Sequence, residues 1–249
     1  MEIAHGLRRI GSDIVNSYLI VDGDDVTVID AGLPGYWRLL QAELASIGKS
    51  LDHVRALVLT HGDTDHIGFA ARLYKEKGIA AYVHTADAER ARLRVKKPNS
   101  GWGPVKVKPF VGFMWYSARH GGLRIPPAEQ LQTFGDGDVL DVPGKPRIIH
   151  TPGHTPGSVS VHVPMVDAIF LGDAMTTRNV LTGASGPRPA PFTLQPAEAI
   201  NSLERVETVD ASWALPGHGP AWDGGTAEAV RLIREAAAAQ GGSREESPQ

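Results

Sequence analysis

Short apolar runs alternate with polar, glycine-marked breaks along this chain, and most runs have the length of strands rather than helices. "NSYLIVDGDDVTVIDAG", residues 16–32, reads as two strands joined across Asp22–Asp25, a hairpin. The period then changes. In "GYWRLLQAELASIG", Trp37, Leu40, Leu44 and Ile47 recur at spacings of three and four, which predicts an amphipathic helix ended by Gly48. "VRALVLT", 54–60, is a continuous apolar run and predicts a buried strand. Residues Ile67 to Lys77 predict a helix stopped by Gly78, "IAAYVH" a strand, and "TADAERARLR" a helix with Thr85 as its N-cap. Residues 96–135 lose this rhythm: they carry several aromatics, many Gly and Pro, and little periodicity. Strand-like runs return in "DVLDV", "PRIIHT", "SVSVHV" and "AIFLGD". "PAEAINSLERVE" then predicts a helix, "SWALPGHG" a strand running into a loop, and "GTAEAVRLIREAAAA" a last helix.

Two β-rich stretches, each accompanied by helices, point to an α/β fold. Two sheets packed face to face with helices over both outer surfaces bury every apolar face, and the polar loops then gather along one edge. One domain over 1–238 is expected, with the aromatic-rich segment at about 96–135 as an insertion, and 239–249 as a tail without fixed structure. A long irregular segment of this kind is either a lid or pocket wall, or a surface excursion packed by its own aromatics.

Composition narrows the chemistry. The chain has no cysteine, which excludes disulfides, thiolate metal sites and cysteine nucleophiles, so any metal must be held by His, Asp and Glu. A net charge of -3 without long single-sign runs argues against a nucleic-acid-binding face. The densest basic stretch, "ERARLRVKK" at 89–97, reads as a solvated helix face. The N-terminus has no apolar stretch like a secretory signal, and no window approaches the ~18 apolar residues of a membrane span. A soluble cytoplasmic protein acting on a small molecule is expected, with neither nucleic acid nor membrane as partner.

The titratable residues fall in a pattern. His61, Asp63, Asp65 and His66 follow the strand at 54–60. His154, in "HTPGHTPGS", follows the strand at 147–150. Asp173, in "FLGD", and His218, in "LPGHG", follow two more. Each sits just past an apolar run and beside glycine, where loops of a rigid scaffold collect ligands. Loop histidines and turn-forming aspartates do not account for seven such groups recurring after four strand ends. Seven donors exceed the needs of one tetrahedral ion and suit two metals ~3.5–4 Å apart, bridged by a carboxylate and a hydroxide.

These motifs, from "VIDAG" at 28 to "PGHG" at 219, resemble the metallo-β-lactamase-fold metallohydrolase superfamily, and "HTPGHTPGS" is similar in wording to its glyoxalase II and lactonase branch. The resemblance implies a four-layer αββα sandwich of two similar halves, and a metal-bridged hydroxide that cleaves a small ester, thioester or lactone. It implies His61 and His154 as ligands of a first metal, and Asp65, His66 and His218 as ligands of a second. Asp173 becomes the bridging carboxylate, and Asp30 an acid orienting a ligand loop. Asp65 and Asp173 carry the catalytic roles. Zinc is the first expectation, with iron or manganese compatible. Asp63 departs from the family, whose pattern His-x-His-x-Asp-His has a histidine there. It can ligate through oxygen, leave the first site weak, or support a neighbour; direct ligation is the reading carried forward. Trp102, Phe113, Trp115 and Arg178 are candidate substrate contacts. A phosphodiesterase or nuclease of the same fold, and a metal-poor ligand-binding protein, are the alternative functions.

Overall fold

The computed structural model describes residues 1–95 and 104–245, with side chains as far as 239. One sheet takes its strands in chain order: β1 (Glu2–Ala4), β2 (Leu7–Ser12), β3 (Val15–Asp22), β4 (Asp25–Ile29), β5 (Val54–Val58), β6 (Ala81–His84) and β7 (Leu131–Phe134). The first four strands are antiparallel. From β4 onward the pairing is parallel, through crossovers that contain α1 (Tyr36–Ala45) and α2 (Ala70–Lys77). The predicted hairpin is present, with Tyr18 opposite Ile29 and Asp22 opposite Asp25. The second sheet comprises β8 (Arg147–His150), β9 (Val159–Val163), β10 (Ala168–Arg178), β11 (Ser185–Arg188) and β12 (Trp213–His218), the last parallel to β10. The remaining helices are α3 (Ala88–Ala91), α4 (Val107–Arg119), α5 (Pro196–Ser202), α6 (Glu204–Glu207) and α7 (Thr226–Glu245).

Alternation along the strands builds the layers, because successive side chains point to opposite faces. On β3, Tyr18 and Ile20 face the other sheet while Leu19 faces the helices. On β10, Ala168 and Phe170 face inward while Ile169 and Leu171 face outward. Three apolar cores result. One, with Ile20, Ile29, Val58, Val161, Phe170 and Leu215, lies between the sheets. One packs β3–β6 against α1 and α2 through Trp37, Leu40, Leu44 and Leu73. One packs β10 and β12 against α6 and α7 through Val206, Val230 and Ile233. Three cores between four layers make the expected αββα sandwich, and strands buried on both faces explain the unbroken apolar runs.

Several elements differ from the sequence expectation. "DVLDV" makes only an isolated bridge, Val139 to Arg147, because Asp138 closes a turn on the Gly135 N–H. α2 starts at Ala70, since Gly68 is held to the main chain of Gly32 at 2.8 Å. His84, not Thr85, accepts the Ala86 N–H, and the helix that follows has a single turn before Leu93 turns left-handed (φ 58). α1 closes at Ala45, and Gly48 takes its left-handed turn just beyond. "PAEAINSLERVE" divides at Leu203 into α5 and α6. Asp173 and His218 lie within β10 and β12 rather than after them. α7 continues to Glu245, into the expected tail, carried by its alanine run; residues 246–249 lie outside the described residues.

Segment 96–135 contains a helix and a strand where no regular structure was expected. α4 is apolar on both flanks, with Pro109 and Gly112 interrupting its first turns, so no single stripe marks it. It is tied down at both ends: Lys106 N–H donates to Leu181 O and Gly35 N–H to His120 O. In its last turn, the hydroxyls of Tyr36 and Tyr116 meet at 2.8 Å.

Candidate metal centre

The C-terminal ends of β4, β5, β8, β10 and β12 reach the same end of the sandwich. The seven residues that the sequence singled out, His61, Asp63, Asp65, His66, His154, Asp173 and His218, meet there, and all but Asp65 are buried. Three overlapping trios, His61–Asp63–His154, His61–His66–Asp173 and Asp65–His66–His218, each have ligating atoms within 4.8 Å of one another.

All four imidazoles are held in the same way. His66 Nδ1 lies 2.9 Å from Asp30 Oδ2. Thr60 Oγ1 gives its one proton to Asp30 Oδ2, so it accepts from His61 Nδ1 at 3.0 Å. Thr193 Oγ1 gives its proton to Ala190 O, so it accepts from His154 Nδ1 at 3.2 Å. His218 Nδ1–H donates to Ile14 O at 2.5 Å. An Nδ1–H with a protein acceptor reserves Nε2 for a metal, as a lone pair on the neutral ring or on loss of the second proton, and the Nε2 atoms turn toward the carboxylates. His154 Nε2 is 3.5 Å from Asp63 Oδ2 and 3.4 Å from Asp173 Oδ2. His218 Nε2 is 3.2 Å from Asp173 Oδ2 and 3.6 Å from Asp65 Oδ2. His66 Nε2 is 3.6 Å from Asp173 Oδ1. His61 Nε2, His66 Nε2 and Asp173 Oδ1 are buried without a hydrogen-bond partner. Orphaned buried polar atoms are costly, and here they share one point that a cation would satisfy. The donor set, imidazole nitrogen and carboxylate oxygen, fits a divalent metal.

The electrostatics agree. Burial opposes a proton on His66, but Asp30 beside it overrides this and raises its pKa to about 10. Burial likewise opposes a proton on His218, and Asp173 raises it to about 9. Burial pushes the Asp173 carboxyl up, yet His218 and His154 hold it well below the usual carboxylate range. Burial, with His66 adjacent, keeps His61 neutral. A field that charges two buried histidines is one that attracts cations.

Two backbone features make room. Asp30 itself adopts a left-handed conformation (φ 59), which aspartate tolerates better than most residues, and this turns its carboxylate back under Thr60 and His66. At Gly172 (φ 51) a Cβ would lie 2.6 Å from Thr60 Oγ1, so only glycine lets β10 approach β5 this closely.

Asp87 and Arg90 hold the site together without having been singled out in the sequence. Asp87 is fully buried at the start of α3. Its Oδ2 accepts from Gly62 N–H and Thr155 Oγ1–H, both at 2.7 Å, and its Oδ1 from Gly157 N–H at 2.8 Å. One carboxylate thus fastens the loop of His61 and Asp63 to the loop of His154. Arg90, one turn on, is buried and donates from Nε to Asp63 Oδ1 at 2.5 Å. The basic stretch 89–97 is therefore not wholly a solvated face. Only the type of Asp87, a helix-start acid, marked it in the sequence, and Arg90 was read with its basic stretch as solvated. His150 supports the same loop through Nε2 to Pro156 O at 2.9 Å.

Above the acids and imidazoles opens a cavity of about 550 Å³, walled by Leu33, Phe113, Met114, Ile125, Val180, Phe192 and Leu194. Among the described residues, Phe113 is the one expected substrate contact it includes. Trp115 points to solvent on the opposite flank of α4, under Arg119. Arg178 is drawn off to Asp13 at 3.9 Å on the surface. Trp102 lies outside the described residues.

A four-layer sandwich with an imidazole and carboxylate cluster at one edge defines a class, and the family model for the metallo-beta-lactamase superfamily matches residues 10–218. The chain belongs to that superfamily. It is 30% identical over 222 residues to an uncharacterised protein of Mycobacterium tuberculosis, covering 82% of this chain and 85% of the relative. It is 26% identical over 235 residues to the probable metallo-hydrolase YflN of Bacillus subtilis, covering 88% and 85%. A metallo-beta-lactamase family protein from Thermus thermophilus has the same fold, with a TM-score of 0.68 at 20% identity over 96% of this chain and 81% of that one. Among the described residues no helix is long and apolar enough to cross a membrane.

Two outcomes follow from the geometry. Asp87→Ala leaves three donors unpaired between the loops; it should lower unfolding free energy by about 3 kcal/mol in urea titrations and reduce the metal retained after desalting. With His66 and His218 charged near neutral pH, a metal must displace their protons. Loading the metal-free protein near pH 7 should release about two protons per chain, measured by calorimetry in buffers of different ionisation enthalpy, and apparent affinity should rise with pH toward about 9. The sign is fixed by the raised values: the charged forms support the metal-free fold below their ordinary pKa, and that support is lost as pH climbs through about 9 to 10.

Proposed function

We propose that the chain is a binuclear metal-dependent hydrolase of a small ester, thioester or lactone with an apolar acyl part. The observation that carries this reading is the convergence of four Nδ1-anchored histidines, each with Nε2 turned inward, on Asp63, Asp65 and Asp173 at the floor of an apolar cavity. His61, Asp63 and His154 would hold a first metal, Asp65, His66 and His218 a second, and Asp173 would serve both, since it faces His66, His154 and His218 together. Two divalent ions, zinc first and iron or manganese also suited to these donors, supply Lewis acidity that acidifies water near neutral pH and polarises a carbonyl.

The protein's own groups do the rest. Asp65, the half-buried acid of the set, lines the cavity; its carboxylate takes the proton of the attacking water and returns it to the leaving oxygen or sulfur. Phe113, Met114 and Ile125 exclude water from the acyl side and orient the carbonyl toward the floor. The relatives named as probable metallo-hydrolases support hydrolysis as the reaction class.

Asp173→Asn should lower kcat at least about a thousandfold on any ester, thioester or lactone the wild type turns over, while the protein stays folded by circular dichroism. Retained activity would remove Asp173 from the mechanism, and a wild type that cleaves phosphodiesters but no ester would replace the substrate class. Phe113→Ala should raise KM for long acyl chains by about tenfold with little change for acetyl substrates, a loss in line with one buried aromatic contact.

A further inference from the structure

α4 has no buried residue, yet it is fixed at both ends and through Tyr116. Its outer side is apolar. Val107, Val111 and Trp115 recur every four residues and are 78%, 56% and 63% exposed; Val105, Met114 and Leu123 are exposed beside them in the chain. Scattered exposed apolar residues are ordinary, but a strip of them along one helix face marks an interaction surface.

Charge follows the same segment. From Arg90 to Ala128 the sequence carries nine Lys and Arg and no Asp or Glu, in a chain whose net charge is -3. Lys106 and Lys108 stand at the start of the apolar strip, Arg119 and Arg124 at and beyond its far end. All four are exposed, and none meets a carboxylate among the described residues. Arg119 lies over the Trp115 ring at 5.6 Å. The loop to which α4 is tied, residues 179–195, adds Arg188 and no acid. The whole-chain charge averages this asymmetry away, which is why composition pointed away from a membrane.

Two chains meeting on this face about a dyad would set cations against cations with no acid to answer them, which disfavours a second copy. A bilayer with anionic headgroups answers both features. Trp and Val side chains sink to the acyl boundary, and Lys and Arg reach the phosphates. We propose that the outer face of α4 docks the protein on an anionic phospholipid bilayer. The chain then lies on the surface, since no helix among the described residues crosses a membrane. The strip also runs to the mouth of the cavity. Met114 and Leu123 are exposed, and both line the cavity above the acids and imidazoles. Docking sets that mouth against the lipid, and the substrate class narrows to esters or thioesters whose acyl chain partitions into the bilayer. This last step rests on the hydrolase reading above; the docking does not.

Co-sedimentation of the full chain with vesicles tests the docking without any substrate. Phosphatidylcholine vesicles are compared with vesicles containing about one-third phosphatidylglycerol, to which the wild type should partition at least about tenfold more strongly, and less so in high salt. Lys106→Gln/Lys108→Gln should weaken anionic binding at least about tenfold, and Val111→Ser/Trp115→Ser should do the same. Both pairs lie outside the cavity lining. Each variant should therefore keep the wild-type circular dichroism and, on a water-soluble short-chain ester, a kcat/KM within about twofold of wild type. On a long-chain ester carried in the anionic vesicles, each should lose at least about tenfold. The proposal is overturned if the wild type stays in the supernatant, or if either pair of substitutions leaves its partition unchanged. A wild type that stays in the supernatant and sediments as a dimer, dissociated by Val111→Ser/Trp115→Ser, gives the face to a second copy instead. A wild type that binds the vesicles yet cleaves no ester refutes the hydrolase reading and leaves the docking standing.

Discussion

Burying several like charges within hydrogen-bonding reach of one another is the constraint on which this molecule turns. Asp30, Asp63 and Asp173 are buried and Asp65 is half-buried, all around four buried histidines, with the Arg90 guanidinium beside Asp63. Carboxylates crowded in this way repel one another, and such repulsion would ordinarily be relieved by protonation or by unfolding. Two protons on His66 and His218 relieve part of it. The scaffold supplies the remainder as geometry: Asp30 is saturated by Thr60 and His66, and Asp87, a further buried acid, is saturated by Gly62, Thr155 and Gly157. The buried acids thus differ in use: both oxygens of Asp30 and Asp87 are taken up by the protein, whereas Asp173 keeps Oδ1 without a hydrogen-bond partner and faces three histidines.

That difference depends on the sandwich. Strands carrying apolar residues on both faces are rigid enough to end at fixed points, and β4, β5, β8, β10 and β12 end on one side because parallel pairing in the first sheet and the β10–β12 pair in the second align their C-termini. The close approach at Gly172 brings the two sheets' contributions together. α4 then roofs the site with Phe113 and Met114, so the cavity is apolar where a substrate's body would lie and polar where its reactive bond would sit.

What could be seen in the sequence follows from this construction. The candidate ligands were legible because each lies beside an apolar run and a glycine, a local signal that needs no knowledge of the fold. Their supports were not. Ile14 acts through its carbonyl, which every residue possesses; Thr193 lies 39 positions from the histidine it orients; Asp87 has the composition of any helix start. α4 escaped because its apolar residues divide between the cavity and solvent, with Phe113 facing in and Val107, Val111 and Trp115 facing out, which erases the one-sided stripe that reveals a helix. Arg178 was misjudged for a related reason: proximity to Asp173 in sequence says little once β10 has carried the chain five residues past the site to Asp13.

Asp63 shows the same limit most clearly. Taken as one position, an acid in place of a histidine reads as a change of ligand type and invites the conclusion that the first metal is weakened or exchanged. Arg90 changes the comparison, because the quantity that a buried cation responds to is the net charge and the direction of the donor lone pair, not the identity of the donor residue. The guanidinium bears on both: it donates to Oδ1 of the carboxylate, whose Oδ2 lies 3.5 Å from His154 Nε2. α3 can deliver that guanidinium because Asp87 pins the same turn to the ligand loops, so this charge is positioned by the very contact that positions the ligands. A departure from a ligand motif is therefore to be weighed with the buried charges that face it, wherever in the chain they originate.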